Sequence, residues 1–539
     1  MNGTAMLLPA ALALPIGMLL ICFFSYARRR MPPLLVLAPV PALVAALLTV
    51  GEAPLTMPEA LYRATLALDV PGAMLLGTAA ILWMAAAVYA ATYLRDEPNT
   101  GGFSAWWLTA MIGNFGVFMA ADIASFYLFF AMGSIGAYGL IIHNMTSVSR
   151  RAGIVYVGFA LVGEACVLMG LVLLVAGTPS SSLLIRDAVA ALPTSPWRDP
   201  ALVLLIIGLG LKIGLVPLYV WMPLAYTAAP APAAAVLSGA AVKAGVIGLI
   251  RFLPFDTALP GLGAALAAAG IISTFYGVAI GINRSNPKTV LAYSSVSQMG
   301  VIATLLGMGL ATANSGVTLA AGFYAAHHVL VKGALFLATG IVLATGSRSR
   351  WLIVVPAAIV ALGLAGLPFT GGYLAKAAVK PFIGEGAFGI FAALSSAGTA
   401  LLMLYFIDCL MKARPQNDGE PAPAGLTLPW LVMVFAAIVV PSALLPSAIP
   451  SQPSDLFGAW NLWDAIWPIL TGGACAIVWR YRRQKPHLPS EGTRLIANAT
   501  RACTSAFERT EAILRQWQSA GISLLAITVL LAVVVASGR

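Results

Sequence analysis

The feature that most constrains this chain is its long run of unbroken apolar stretches, each about 20 residues, enough for a helix to cross a bilayer. They recur from one end of the 539 residues to the other. They are continuous and rich in Ala, Leu, Val and Gly. This excludes a β-barrel, whose strands alternate apolar and polar residues. Charged residues make up 9% of the chain, against roughly 25% in a soluble globular domain, too few to coat a water-facing surface. The expected fold class is therefore an all-α polytopic membrane protein.

About sixteen spans are expected, near 5–27, 32–50, 73–94, 103–120, 122–143, 152–176, 200–225, 232–253, 260–281, 289–310, 316–345, 351–380, 386–411, 427–447, 459–479 and 521–537. The net charge of +11 does not point to nucleic acid, because the basic residues sit in short loops and sort by side. One side collects Arg28–Arg30, Arg95, Arg150, Arg151, Arg284, Lys288, Arg348, Arg350, Lys412, Arg414, Arg480, Arg482, Arg483 and Lys485. The other has chiefly Arg63, Arg186, Arg198 and Arg251. Basic loops mark the cytoplasmic face, so both termini are expected outside. Met1–Ala27 lacks a basic leading segment and reads as an uncleaved first span. Between the last two expected spans, at 486–518, Leu495, Ile496, Ala499, Ala502, Phe507, Ile513 and Leu514 recur at three- and four-residue spacing. That spacing predicts an amphipathic helix on the inner membrane surface. The five cysteines form no CxxC and no metal-spaced cluster with His, so no cofactor or metal is expected in this chain. Redox energy, if used, would come from another subunit.

Ionisable groups inside apolar spans are costly and usually functional. Those that stand out are Asp122, Glu164, Lys212, Lys243, His327, His328, Lys332, Lys376 and Asp408. Lys212 lies five residues before Pro217 in GLGLKIGLVPLYVWMP, and GLPFTGG, with Pro368, precedes Lys376. Proline removes a helical hydrogen bond, and irregular backbone survives at membrane depth only inside protein or beside a cavity. Two broken helices, each with a lysine and separated by four intact spans, suggest a duplicated unit with a transport site near the midplane. Burial disfavours a charged lysine and a nearby carboxylate favours it, so small movements of a partner can load and unload a buried lysine. Lys212, Lys243, Lys332, Lys376 and His328 are the candidate proton relay. Glu164 is as readily a structural hydrogen-bonding group as a relay member. Asp122, at a span boundary, is equally well a helix cap. Asp408 lies near an inner span end and reads as structural. His327, beside His328 but on a different face, reads as a hydrogen-bonding neighbour.

The run VWMPLAYTAAPAPAAAVLSGAAVKAGVIGLIRF (220–252) resembles the signature of Mrp-antiporter-like proton-translocating subunits. These occur in respiratory complex I, membrane-bound hydrogenases and Mrp sodium/proton antiporters. NPKTVLAYSSVSQMG (286–300), HHVLVKGALFLATG (327–340) and GLPFTGGYLAK (366–376) are similar to further family motifs in the same order, and the likeness spans about 100–415. It implies two inverted five-helix repeats containing broken helices, spans 4–8 over residues 101–255 and spans 9–13 over 256–415. N-terminal helices over 1–100 and C-terminal spans over 416–539 flank them. It also implies that Lys212, Lys243, Lys332 and Lys376 are the lysines of spans seven, eight, eleven and twelve. The family places a glutamate in the fifth span, in a motif resembling D-x8-E. Asp122 fits the aspartate, but the glutamate position holds Ala131. Glu164 on the next span is a candidate substitute; the other readings are an altered coupling, or a fold kept without pumping.

The expectation is a multi-pass subunit of a bacterial-type inner-membrane complex, with no covalent chemistry of its own and no nucleic-acid partner. It would move protons, or sodium, beside other membrane subunits in the lipid bilayer. One version is a hydrogenase-like or complex I-like redox-driven pump with iron–sulfur peripheral subunits. The alternatives are an Mrp-type sodium/proton antiporter, a non-pumping membrane scaffold and a partner in inorganic-carbon uptake.

Overall fold

A computed structural model gives the fold; the residues it describes are 6–57, 63–95, 97, 99–179, 182–344, 350–383, 386–413, 422–448 and 457–484. The chain is helical nearly throughout. The helices are α1 (Leu7–Ile21), α2 (Ser25–Arg30), α3 (Val40–Leu48), α4 (Val70–Tyr93), α5 (Thr100–Met119), α6 (Ile123–Ile141), α7 (Ser147–Ala176), α8 (Ile185–Ala191), α9 (Arg198–Ile213) and α10 (Trp221–Ala228). They continue with α11 (Ala231–Val236), α12 (Lys243–Phe252), α13 (Pro260–Gly281), α14 (Pro287–Thr312), α15 (Val317–Ala344), α16 (Arg350–Ala365), α17 (Gly371–Ile383), α18 (Ala387–Lys412), α19 (Ala424–Ala448) and α20 (Ala459–Gln484). Among the described residues, ten helical segments are long and apolar enough to cross a bilayer. The first fifteen expected spans each find a helix or a broken pair of helices at their place. The sixteenth span and the amphipathic helix over 486–518 lie outside the described residues.

Three features depart from uniform spans. A two-residue hairpin, β1 (Leu55–Thr56) with β2 (Thr65–Leu66), pairs Leu55 with Leu66 in antiparallel register. The span over 232–253 carries a π-helical turn at Leu237–Ala241, between α11 and α12, a feature frequent at functional sites. The spans containing Pro217 and Pro368 split into α9/α10 and α16/α17.

Burial places α14 at the centre, with α15 and the α11–α12 segment beside it, and leaves α20 at the periphery. Two sets of five spans pack alike. α5 lies against α6 as α13 lies against α14, and α7 against α9 and α10 as α15 against α16 and α17. Likewise α9 lies against α12 as α16 against α18. Glycine allows the closest approaches. A Cβ on Gly208 of α9 would meet the Gly163 carbonyl of α7 at 2.6 Å, well inside van der Waals contact.

The loops at one end are tied by charge. Asp69 caps α4 by accepting from Gly72 N at 2.9 Å and pairs with Arg251 at 2.9 Å. Arg251 also donates to the carbonyls of Val117, Phe118 and Ala120 at the end of α5, where a cation complements the helix dipole. Asp122 caps α6 by accepting from Ser125 N at 2.8 Å, and its second oxygen accepts from Thr65 N at 2.7 Å. At the opposite end, Arg350 donates to Met411 O at 2.5 Å, and Arg28 packs on Gly101.

Candidate functional site

The site is built around two helix breaks and a polar centre between them. At the first break, Gly214 in the left-handed region (φ 75°) ends α9 just after Lys212, a conformation that glycine adopts without strain. The freed backbone groups find partners, as burial demands. Trp221 Nε1 donates to Leu211 O at 3.0 Å, and Val216 N donates to Ser273 Oγ of α13 at 2.9 Å. Lys212 Nζ donates to Ser134 Oγ of α6 at 2.6 Å and lies 4.7 Å from the Phe130 ring centre, within cation–π range. Tyr156 of α7 stands beside the same Ser134 hydroxyl. A small cavity beside Lys212 is lined by Tyr156, Trp221, Tyr226 and Val242.

Glu164 of α7 is half-buried and interacts electrostatically with Lys212, Tyr127 and Tyr156. Its Oε1 is buried without a hydrogen-bond partner among the described residues. Ala131 stands one helical turn before Ser134, on the face of α6 that meets Lys212.

The centre is a ring of polar groups from three elements, joined by hydrogen bonds at every step but the one from His328 to Lys332. Lys243 Nζ lies 2.6 Å from His328 Nδ1 and donates to Ser238 O at 3.2 Å. His328 shares a face of α15 with Lys332, four residues on. Lys332 Nζ donates to Leu291 O of α14 at 2.8 Å. Ser295 Oγ donates to the same carbonyl at 3.2 Å and meets Ser238 Oγ at 2.9 Å, which returns to the π-helical turn. Lys243, His328, Lys332, Ser238 and Ser295 are all fully buried. The turn itself is pinned by Asn114, whose Nδ2 donates to Ala240 O at 3.1 Å.

At the second break, Lys376 Nζ donates to Ala365 O at 2.8 Å, the last residue of α16, and to Ser396 Oγ of α18 at 2.6 Å. His327 faces this break and not the central ring. It packs on Gly371 and Gly372 beside a small cavity lined by Gly363 and Thr370. A Cβ on Gly372 would overlap the Gly363 carbonyl, so only glycine lets α17 fold back on α16.

The chain that carries this arrangement, two broken helices with buried lysines flanking a lysine–histidine ring, is similar to known proteins. The family described as NADH:quinone oxidoreductase/Mrp antiporter, transmembrane, matches residues 120–401. The chain belongs to that family. NADH-quinone oxidoreductase subunit N of Desulforudis audaxviator is 31% identical over 406 residues, 67% of this chain and 78% of that protein. Hydrogenase-4 component B of Escherichia coli is 30% identical over 293 residues, 52% of this chain and 43% of that protein. Na(+)/H(+) antiporter subunit A1 of Staphylococcus aureus is 30% identical over 316 residues, 54% of this chain and 39% of that protein. The chain thus spans less than half the length of these last two relatives. Two solved structures share the fold. One is the membrane-bound sulfane sulfur reductase, an archaeal respiratory membrane complex (TM-score 0.68, 21% identity, 87% of this chain and 99% of that one). The other is the Mrp complex of Dietzia (TM-score 0.71, 20% identity, 99% of this chain and 63% of that one). These relatives and neighbours are subunits of multi-subunit membrane complexes, and this member of the family is a multi-pass membrane protein.

Within the family fold, the structure brings Lys243, His328 and Lys332 together and holds Lys212 and Lys376 at the two breaks. Asp122 stands apart as a cap. Asp408 pairs with Lys412 at 2.5 Å, one turn along α18. Sequence reasoning overlooked the hydroxyls of Ser134 and Ser396, which accept from Lys212 and Lys376, and of Ser238 and Ser295, which meet each other in the ring.

Proposed function

We propose that the chain is a proton-translocating subunit of a multi-subunit complex in a bacterial-type inner membrane. Its N-terminus lies outside, and its path runs through Lys212, Lys243, His328, Lys332 and Lys376. The observation that carries this reading is the 2.6 Å contact of Lys243 Nζ with His328 Nδ1, sealed inside the bundle with Lys332 one turn along the same face of α15. Buried charge of this density is a poor way to stabilise a fold and a good way to hold a mobile proton. The matching packing of the two five-helix sets supports reading 101–255 and 256–415 as repeated units, between N-terminal helices over 1–100 and a C-terminal region over 416–539. Glu164 takes the place of the family's fifth-span carboxylate as the charge that modulates Lys212.

The direct test is Lys243→Met, assayed as proton movement in inside-out vesicles holding the intact complex. Transport falls about a hundredfold, the scale of losing a positioned proton-transfer group. Thermal stability is kept or raised, because an apolar side chain replaces a buried cation. Unchanged transport would sink the relay.

For the driving reaction we favour a complex I-like or hydrogenase-like assembly in which electron transfer in peripheral subunits powers the movement. The chain covers 78% of the NADH-quinone oxidoreductase relative but 39% of the antiporter relative. Affinity purification from native membranes with mass spectrometry separates the readings. Co-purifying iron–sulfur subunits support the redox assembly. Small antiporter subunits alone would make the chain part of a sodium/proton exchanger, the second reading, which its likeness to the Mrp complex supports.

A further inference from the structure

His328 uses one ring nitrogen. With Nδ1 taken by the Lys243 ammonium, the neutral ring carries its hydrogen on Nε2, and Nε2 is fully buried without a partner among the described residues. A buried donor left unpaired is costly. A second orphan lies on the helix opposite. Ser294 Oγ of α14 is likewise fully buried and unpartnered among the described residues.

The register of α14 against α15 places the two orphans level. Leu291 O of α14 accepts from Lys332 of α15, and Gln298 Oε1 of α14 accepts from Tyr324 of α15 at 2.6 Å. The helices therefore run antiparallel, position 291 beside 332 and 298 beside 324. Midway between these contacts stand Ser294 and His328. Tyr324, His328 and Lys332 recur every fourth residue along one face of α15, and Leu291, Ser294 and Gln298 share one face of α14.

We propose that an ordered water sits between His328 Nε2 and Ser294 Oγ, and that it extends the central ring to the Ser294 hydroxyl. A water needs two or more polar partners to occupy an interior site, and these groups supply a donor and a hydroxyl that can give or take. The water would accept from Nε2 and hold the proton that leaves Nε2 as Nδ1 takes one from the Lys243 ammonium. Gln298 is the positioning residue. Its Oε1 holds Tyr324, and its Nε2 donates to Thr399 Oγ1 of α18 at 3.0 Å. Thr399 lies one turn from Ser396, the hydroxyl that accepts from Lys376. An amide passes no proton onward, so Gln298 and Thr399 hold Tyr324 and the wall of the site in place, and His327 takes no part.

This inference rests on the relay reading, and the experiment keeps the two failures apart. In inside-out vesicles holding the intact complex, Ser294→Ala and Tyr324→Phe, each losing one oxygen, slow proton movement about tenfold, some 1.4 kcal/mol of barrier. Ser294→Thr, which keeps the hydroxyl, restores most of the rate, and His327→Gln changes it less than about twofold. A cryo-EM map of the same complex shows water density between His328 and Ser294 that is lost in Ser294→Ala. If Lys332→Met halts movement while Ser294→Ala and Tyr324→Phe match the parent, the relay stands and this branch is wrong. The branch is equally wrong if His327→Gln alone abolishes movement, or if the map is empty at that point. If Lys332→Met also matches the parent, the relay reading itself fails.

Discussion

The sharpest residue-scale question is which carboxylate governs Lys212. Ala131 cannot, yet the lysine sits where a side chain at 131 would reach it, one turn from the Ser134 hydroxyl it contacts. Glu164 approaches from α7 and interacts with Lys212 through the field alone, its Oε1 unbonded. Glu164→Gln therefore slows proton movement about tenfold, and adding Ala131→Glu recovers most of the loss. A double variant as slow as the single one would mean that the carboxylates are not interchangeable. A single variant as fast as the parent would remove Glu164 from the path. The lysines were legible because a charge amid apolar residues is rare and costly. Ser134, Ser294, Ser295 and Ser396 were not. A hydroxyl in an apolar helix usually bonds the carbonyl four residues back, as Thr78, Thr109 and Thr274 do here. Ser134, Ser295 and Ser396 make that bond as well, so spacing cannot tell them from hydroxyls that serve their own helix alone. Asp122 was ambiguous for a related reason, since a capping carboxylate and a relay carboxylate look alike until their partners are seen.

At the scale of elements, the two breaks were visible as Pro and Gly inside apolar runs, but how each is held was not. The first is secured from the other repeat-like set, through Ser273 of α13. The second is secured within its own set, by Lys376 on the end of α16 and by the closeness of Gly372 to Gly363. Removing the Ser273 hydroxyl leaves Val216 N unpaired in an apolar interior, at a cost of about 1–3 kcal/mol. Ser273→Ala should accordingly lower the melting temperature of the purified protein and slow proton movement, because Lys212 is on the helix end that the break positions. Stability unchanged from the parent would mean that the Val216 amide finds another partner. The π-helical turn before Lys243 escaped sequence reading altogether, since one extra residue in a turn leaves an apolar run unchanged. The hairpin over 55–66 escaped too, its two-residue strands being too short to show alternation.

For the whole molecule, the sorted charges and the packed ends tell one story. Asp69, Asp122, Arg251 and the hairpin meet at one end through direct contacts, while Arg28, Arg350 and the ends of α5 and α18 meet at the other. The second end carries most of the arginines and lysines, and such loops resist translocation. Ser315, between α14 and α15, and Ser285, before α14, are exposed at opposite ends of one central helix. In a background freed of native cysteines, Ser315→Cys is labelled by an impermeant maleimide in intact cells. Ser285→Cys is labelled only after the membrane is opened. The reverse pattern would turn the chain over, put the arginine-rich end outside, and exchange the faces that the proposed path through Lys212 and Lys376 would connect. Labelling of both from outside would break the alternation of α13, α14 and α15 across the bilayer, and with it the two-set reading that supports the proposed relay.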